Sequence, residues 1–174
     1  MNRLLSRLDA MEATREEYLA RVAALPADRR GIRASPEVWS PLEVIEHFVR
    51  AERDVMRGLF EPEYLKVRPQ GVRSRVLRLV VMGILRFGVR VKAPSKAMLP
   101  EGDLSLDELT ERWRANHGRL HAFLEGASAD ELSKACFRHP VSGPLTPAQA
   151  LDLAAVHLKH HDRQLAEAVR HAAD

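Results

Sequence analysis

Two histidines spaced four residues apart, His157 and His161, lie near the C-terminal end of the chain. On an α-helix this spacing stacks the two side chains on one face, one turn apart. Neutral imidazole is a common ligand of zinc, nickel, iron and copper, so the pair can reach one metal ion. His47, on an earlier predicted helix, is the candidate third ligand. Because three histidines and a water molecule are the usual ligands of an open catalytic zinc site, the sequence predicts a three-histidine site for a divalent metal.

The pair occupies positions where a helical core would normally carry leucines. A simpler interpretation, that these are core histidines, stays open. They would then need hydrogen-bond partners within the protein, because burial of polar side chains without partners is costly. His160 is a competing ligand, since it lies three residues after His157, but His161 is closer to the centre of the apolar stripe. A rival pair, His117 and His121, lies on the preceding helix, and only His117 falls on that helix's apolar face.

Other kinds of site are excluded or weakly indicated. The chain has no glycine-rich phosphate loop, no His-Glu-x-x-His, no Cys-x-x-Cys and no Glu-x-x-His on an apolar helix face. The single cysteine, Cys136, excludes an internal disulfide. The side chains that we expect to support the metal ligands or to line a substrate pocket are His160, Gln164, Asn116 and His117.

Four amphipathic segments are predicted to position these residues. The first covers residues 2–24, and three others begin at strong capping sequences. Each of these pairs an N-cap hydroxyl with a Glu or Gln three residues later, and the N-caps are Ser40, Ser105 and Thr146. The second helix is expected to run for about 20 residues, toward Pro62. Its Glu43 and Glu46 are expected to point away from the apolar stripe that borders His47.

The pattern predicts an all-α fold, a four-helix bundle formed by one domain over residues 1–174. A connection of some forty residues joins the second and third helices. It is long enough to run back along a helix of about 30 Å, so we expect these two helices to be parallel and joined by a crossover.

Charge and hydropathy limit the partners. The net charge is only +3, but nine Lys and Arg residues and no acidic residue lie between Tyr64 and Pro100. This is a local basic patch and not a nucleic-acid-binding composition. No run of 18 uncharged apolar residues is present, so no transmembrane segment is predicted and a cytoplasmic location is expected. Segment 72–92, with its apolar run 76–87, is interpreted first as a helix packed over the bundle, then as a dimer contact, and third as a membrane-surface helix.

Two stretches resemble the DinB-like superfamily of small bacterial helical proteins. The first is Trp-Ser-Pro-Leu-Glu-Val-Ile-Glu-His at 39–47. The second has two parts, Gly-Pro-Leu-Thr-Pro at 143–147 and Val-His-Leu-Lys-His-His-Asp-Arg-Gln-Leu at 156–165. The resemblance implies an up-down-down-up four-helix bundle and a divalent metal held by His47, His157 and His161. Relatives in that superfamily include S-transferases that use thiols such as bacillithiol or mycothiol, and metal-dependent hydrolases or isomerases. The long basic segment after the second helix departs from the family pattern.

The sequence therefore leaves two alternative functional hypotheses. The first is a metal-dependent enzyme of the thiol S-transferase type, with zinc, nickel or iron as the cofactor and a small molecule as the substrate. The second is a non-catalytic metal-binding or stress-associated bundle, with a homodimer formed through segment 72–92.

Overall fold

The helices begin where the capping sequences predict. Before the helix Pro41–Val55, the hydroxyl of Ser40 accepts from the backbone N–H of Glu43, whose carboxylate accepts from the N–H of Ser40 at 2.8 Å. The same reciprocal pair of hydrogen bonds starts the helices Leu106–Gly126 and Pro147–Ala173. Local sequence therefore determines where these three helices begin.

The computed structural model describes residues 2–89 and 91–174. Six α-helices lie in this part of the chain: α1 (Asn2–Ala23), α2 (Pro41–Val55), α3 (Val72–Arg86), α4 (Leu106–Gly126), α5 (Ala129–Ser133) and α6 (Pro147–Ala173). Two strands, β1 (Phe137–His139) and β2 (Gly143–Leu145), form an antiparallel hairpin, and short 3-10 turns occur at Arg57–Leu59, Pro62–Tyr64 and Lys96–Met98. None of the described helices combines the length and the apolar character needed to cross a membrane.

The core lies between α1, α2, α4 and α6. Both α1 and α2 contact α4 and α6. Phe48 of α2 is fully buried and stacks against Tyr18 of α1 and Trp113 of α4, with ring centroids 5.7 and 5.5 Å apart. Its ring also meets His157 and His161 edge-on, at 5.9 and 5.8 Å. Phe48 is therefore a rigid support between the core and the predicted metal ligands.

The segment after α2 folds as a helix against the core, as its apolar run predicts. In α3 the side chains of Val81 and Met82 are buried, and the helix packs on α6 and β2. The helix begins at Val72, earlier than the apolar run at 76–87 suggests. We find α2 shorter than predicted, at 15 residues, because the chain tightens into a 3-10 turn immediately after it.

The described residues are mostly helical, as predicted, and a two-stranded hairpin that the sequence analysis did not predict joins α5 to α6. Phe137 pairs with Leu145 in the β register, and both side chains are buried in the core. Gly143 adopts a φ of +75°, a conformation that glycine tolerates best. Strands of three residues are too short to show an alternating pattern, so the sequence indicated only turns here.

Candidate metal centre

Three histidine rings from two helices meet at one end of the core. His47 comes from α2, and His157 and His161 come from successive turns of α6. The three ring centroids are 4.7 to 5.0 Å apart. One ring nitrogen from each residue lies within 4.8 Å of the other two, and the group could hold a metal ion.

Hydrogen bonds fix the orientation of two of these rings. Nδ1 of His47 donates to the carbonyl oxygen of Met98 at 2.8 Å, and Nδ1 of His161 donates to Oε1 of Gln164 at 2.7 Å. In each neutral ring the lone pair is then on Nε2. Metal-binding histidines usually donate their second ring N–H to a carbonyl or carboxylate in this way.

The environment keeps the three imidazoles neutral. Burial lowers the pKa of His47 below the usual 6.5, against the opposing effect of its hydrogen bond to Met98. Burial, followed by repulsion from His47 and His161, lowers the pKa of His157 well below that value. Burial lowers the pKa of His161 to about 4. At neutral pH all three rings therefore have a lone pair available for a cation.

The separation of one pair of these nitrogens fits a small tetrahedral ion. Nε2 of His47 lies 3.1 Å from Nε2 of His157. Two nitrogens at the usual zinc distance of about 2.05 Å, in a tetrahedral arrangement, are about 3.3 Å apart. His47 is buried, whereas His157 and His161 remain partly exposed, so the group is accessible from one side.

That accessible side faces a cavity of about 300 Å³. This volume is at the lower end of the range for small-molecule sites. The walls come from α2, α3, α6 and residues 91–94, and they are mainly apolar, with Val55, Ile84, Leu85, Ala150 and Leu153 among them. The charged side chains of Glu52 and Lys92 also line the cavity. The three rings thus lie at the polar edge of an apolar pocket.

Comparison with protein families identifies the chain. A family model for the DinB superfamily matches residues 10–165. The chain belongs to the DinB superfamily. All three histidines of the group lie within the matched residues. Comparison with curated proteins and comparison with solved structures gave no match.

Two of the predicted supporting residues lie at the candidate metal centre of this DinB superfamily chain. Gln164 accepts the hydrogen bond from His161, as described above. His160 lines the cavity, and its Nδ1 donates to the carbonyl oxygen of Leu85 on α3 at 2.9 Å. This bond ties α6 to the helix that covers the cavity, and it leaves His160 next to the ring of His161, with centroids 4.7 Å apart.

Two other predicted residues point elsewhere, because their face of α4 turns toward α2. Nδ2 of Asn116 donates to the carbonyl oxygen of Val49 at 3.0 Å, and Nε2 of His117 is 3.1 Å from Oε2 of Glu52. Neither side chain lines the cavity beside the histidines. His121, the other member of the rival pair, is on the surface, with Nδ1 3.3 Å from a carboxylate oxygen of Glu125.

Two carboxylates of α2, on the face predicted to turn away from its apolar stripe, are buried. Glu43 and Glu46 are 4 % and 1 % exposed, because the connections around α2 cover this face. Glu43 pairs with Arg33, and Glu46 accepts from the backbone N–H groups of residues 101 and 102. Glu46, Glu101 and Asp103 also form an acidic group with metal-ligand spacing, but two of these residues are exposed, and Arg50 forms ion pairs with both Glu46 and Glu101.

The sequence analysis missed two further contributors to the site. The Met98 carbonyl orients His47, and a backbone oxygen has no sequence signature. Glu52 could have been found, since an acidic residue one turn after Phe48 interrupts the apolar stripe of α2. Its carboxylate accepts from Trp113 Nε1 at 2.9 Å as well as pairing with His117.

Proposed function

We propose that Nε2 atoms of His47, His157 and His161 bind one divalent metal ion, with zinc, nickel and iron as the candidates. The observation that carries the proposal is the 3.1 Å separation of the Nε2 atoms of His47 and His157, in rings whose geometry and neutrality suit a cation. Membership of the DinB superfamily supports it further.

We further propose that the protein is a metal-dependent enzyme of the thiol S-transferase type. His47, His157 and His161 would hold the divalent ion, which would lower the pKa of a bound thiol and so supply a thiolate nucleophile at neutral pH. The thiol proton leaves to solvent. The sulfur then forms a bond to an electrophilic carbon of the second substrate, whose leaving group departs with the electron pair of the bond that breaks.

The side chains around the cavity offer a binding position for each substrate. The apolar walls from α3 and α6 suit an electrophile with an apolar body. Lys92, at the cavity lining, suits a carboxylate on the thiol. Trp39 packs its ring 4.9 Å from His47 and 6.5 Å from His161, so it shields that side of the group from water.

We also propose an up-down-down-up arrangement of α1, α2, α4 and α6. Ion pairs support a parallel α1 and α6, since Arg7 meets Asp152 and, further along both helices, Arg21 meets Asp162. An antiparallel α1 and α4 is supported in the same way, by Glu12 near His117 and Glu16 with Arg114.

A metal-free histidine cluster is the second candidate. The Nε2 atoms of His47 and His157 are within hydrogen-bond distance of each other, so one ring can satisfy the other without an ion. This observation favours the non-catalytic bundle, in which the histidines are core residues.

Metal analysis followed by a thiol-transfer assay separates the two candidates. Purified protein is loaded with zinc, nickel or iron, then incubated with bacillithiol or mycothiol and an electrophile with an aromatic body. We expect about one ion per chain and a thioether product, both lost in His161→Ala. Bound metal without product for any thiol favours a non-catalytic metal-binding bundle. Absence of metal after loading contradicts the metal site and the enzyme together.

A further inference from the structure

One face of α3 is apolar and open to solvent. Val72, Leu79 and Phe87 are 78 %, 64 % and 86 % exposed, and Val76 and Val80 lie between them. We call these five side chains the outer face of α3. Of the 14 exposed large apolar side chains among the described residues, ten lie between residues 64 and 91. Exposed apolar side chains that cluster in this way are typical of an interaction surface, whereas single scattered ones are ordinary.

The outer face is not the face that α3 uses to pack on the protein. At about 100° per residue, Val72, Val76, Leu79, Val80 and Phe87 fall on one side of the helix. Val81 is on the opposite side and is buried, where α3 contacts α6 and β2. The fold therefore satisfies one apolar face of α3 and leaves the other without a partner among the described residues.

Basic side chains border the outer face on both sides. Arg75 and Arg86 lie along one edge and Arg73 along the other, and all three are exposed. They belong to the segment between Tyr64 and Pro100, which has nine Lys and Arg residues and no acidic residue. An occupant of this surface must therefore offer apolar contact and negative charge together.

A second copy of the chain does not meet this requirement. A two-fold dimer through the outer face would place the same patch of both copies together. Arginines would then face arginines, with no acidic residue in the segment to neutralise them. Nucleic acid fits poorly as well, because the exposed side chains of the face are aliphatic apart from Phe87 and offer little for bases to stack on.

We propose that the outer face of α3 docks this protein on an anionic lipid bilayer. A helix with apolar side chains bordered by Arg lies in the interface plane, with its apolar face about 5–10 Å into the headgroup boundary. Anionic headgroups attract the bordering arginines. The proposal does not rest on the metal or on the enzymatic function.

Docking would also bring the cavity close to the bilayer. Ile84 and Leu85 of α3 line the cavity, as do residues 91–94 that follow the helix. The same short segment thus supplies the bilayer-facing surface and part of the cavity wall. An apolar substrate dissolved in the bilayer would have a short path to the histidines.

Vesicle co-sedimentation of the full chain tests the docking surface. Vesicles of phosphatidylcholine with phosphatidylglycerol are compared with vesicles of phosphatidylcholine alone, at low and high salt. We expect binding to the anionic vesicles that weakens at high salt, and binding at least tenfold weaker to the neutral ones. The double variant Leu79→Asp with Phe87→Asp should weaken binding at least tenfold, because burial of one such side chain contributes about a factor of ten.

Matched controls separate docking from unfolding and from general charge. Ile32→Asp with Val38→Asp changes two exposed apolar residues outside α3 and should keep full binding. Replacement of Arg73, Arg75 and Arg86 by Gln should weaken binding, whereas the same change at Arg3, Lys159 and Arg170, which are exposed on α1 and α6, should not. Melting curves check that each variant is folded.

Several outcomes would overturn the proposal. One is a wild-type protein that ignores anionic vesicles, or binds neutral ones equally well. Another is a wild-type dimer that Leu79→Asp with Phe87→Asp converts to monomers in light scattering, since this would assign the outer face to a second copy. Tighter binding to DNA than to anionic vesicles would also contradict it.

Discussion

Nε2 of His47 on α2 lies 3.1 Å from Nε2 of His157 on α6. The two residues are 110 positions apart in the chain, and both rings are held at neutral charge by burial. Such a contact is either a hydrogen bond, with the proton on one of the two nitrogens, or two lone pairs that a cation would bridge, with His161 completing the group.

Removal of one ligand should remove the metal and leave the fold. We expect His157→Ala and His161→Ala to reduce the metal content from about one ion per chain to near zero, because two imidazoles hold a divalent ion far more weakly than three. Elemental analysis of purified variants measures the content, and circular dichroism checks the helices. His121→Ala, at the surface, is the control and should retain its metal. Full metal content in both ligand variants would rule out the assigned ligands.

The hydrogen bond from His161 to Gln164 should matter for metal affinity. Gln164→Ala removes the acceptor that orients the ring, and loss of such an outer contact typically weakens metal binding by about 10- to 100-fold. Gln164→Glu retains an acceptor and should bind metal about as well as the wild type. Competition with a chromogenic chelator gives the affinities. Equal affinities for all three proteins would mean that Gln164 does not orient His161.

Acid should destabilise the metal-free protein. The three histidines have a folded-state pKa below 6.5, and that of His161 is about 4, so the unfolded chain binds protons first as the pH falls. Their contribution is complete above about pH 6.5 and is lost as the pH drops toward 4. Urea unfolding at pH 7.5, 5.5 and 4.5 should show a decline, of which His161 accounts for roughly 1–3 kcal/mol. His161→Asn should show a smaller decline, and an identical pH dependence in the variant would contradict the assignment.

The buried carboxylate of Glu52 should be important for stability. It accepts from Trp113 and pairs with His117, and all three side chains are buried. Glu52→Ala leaves two polar groups without a partner, so we expect the free energy of unfolding to fall by about 2–5 kcal/mol. Glu125→Ala breaks the surface pair with His121 and should cost less than about 1 kcal/mol. Similar losses in the two variants would show that the buried network contributes little.

Local signals in the sequence predicted the helices and the histidine group. The capping pairs at Ser40, Ser105 and Thr146 depend only on residues within one turn, so they could be read directly. In the same way, the four-residue spacing of His157 and His161 predicted that the two side chains lie on one face of α6. His47 was selected by its position at the border of an apolar stripe, and the fold brings it to the pair.

Features that depend on distant contacts could not be predicted in the same way. Glu43 and Glu46 have the pattern of a solvent-facing edge, and they are buried only because the connections before and after α2 fold over it. Asn116 and His117 fall on the apolar face of α4, but the rotation of that helix directs them to Val49 and Glu52. In both helices, the elements that pack around the helix determine where these side chains lie, and the sequence of the helix alone does not.

Anomalous diffraction from crystals grown with zinc, recorded on both sides of the zinc absorption edge, tests the metal site most directly. We expect one strong peak about 2.0–2.1 Å from Nε2 of His47, His157 and His161. A peak at Glu46, Glu101 and Asp103 instead, or no peak beside the histidines at saturating zinc, would contradict it.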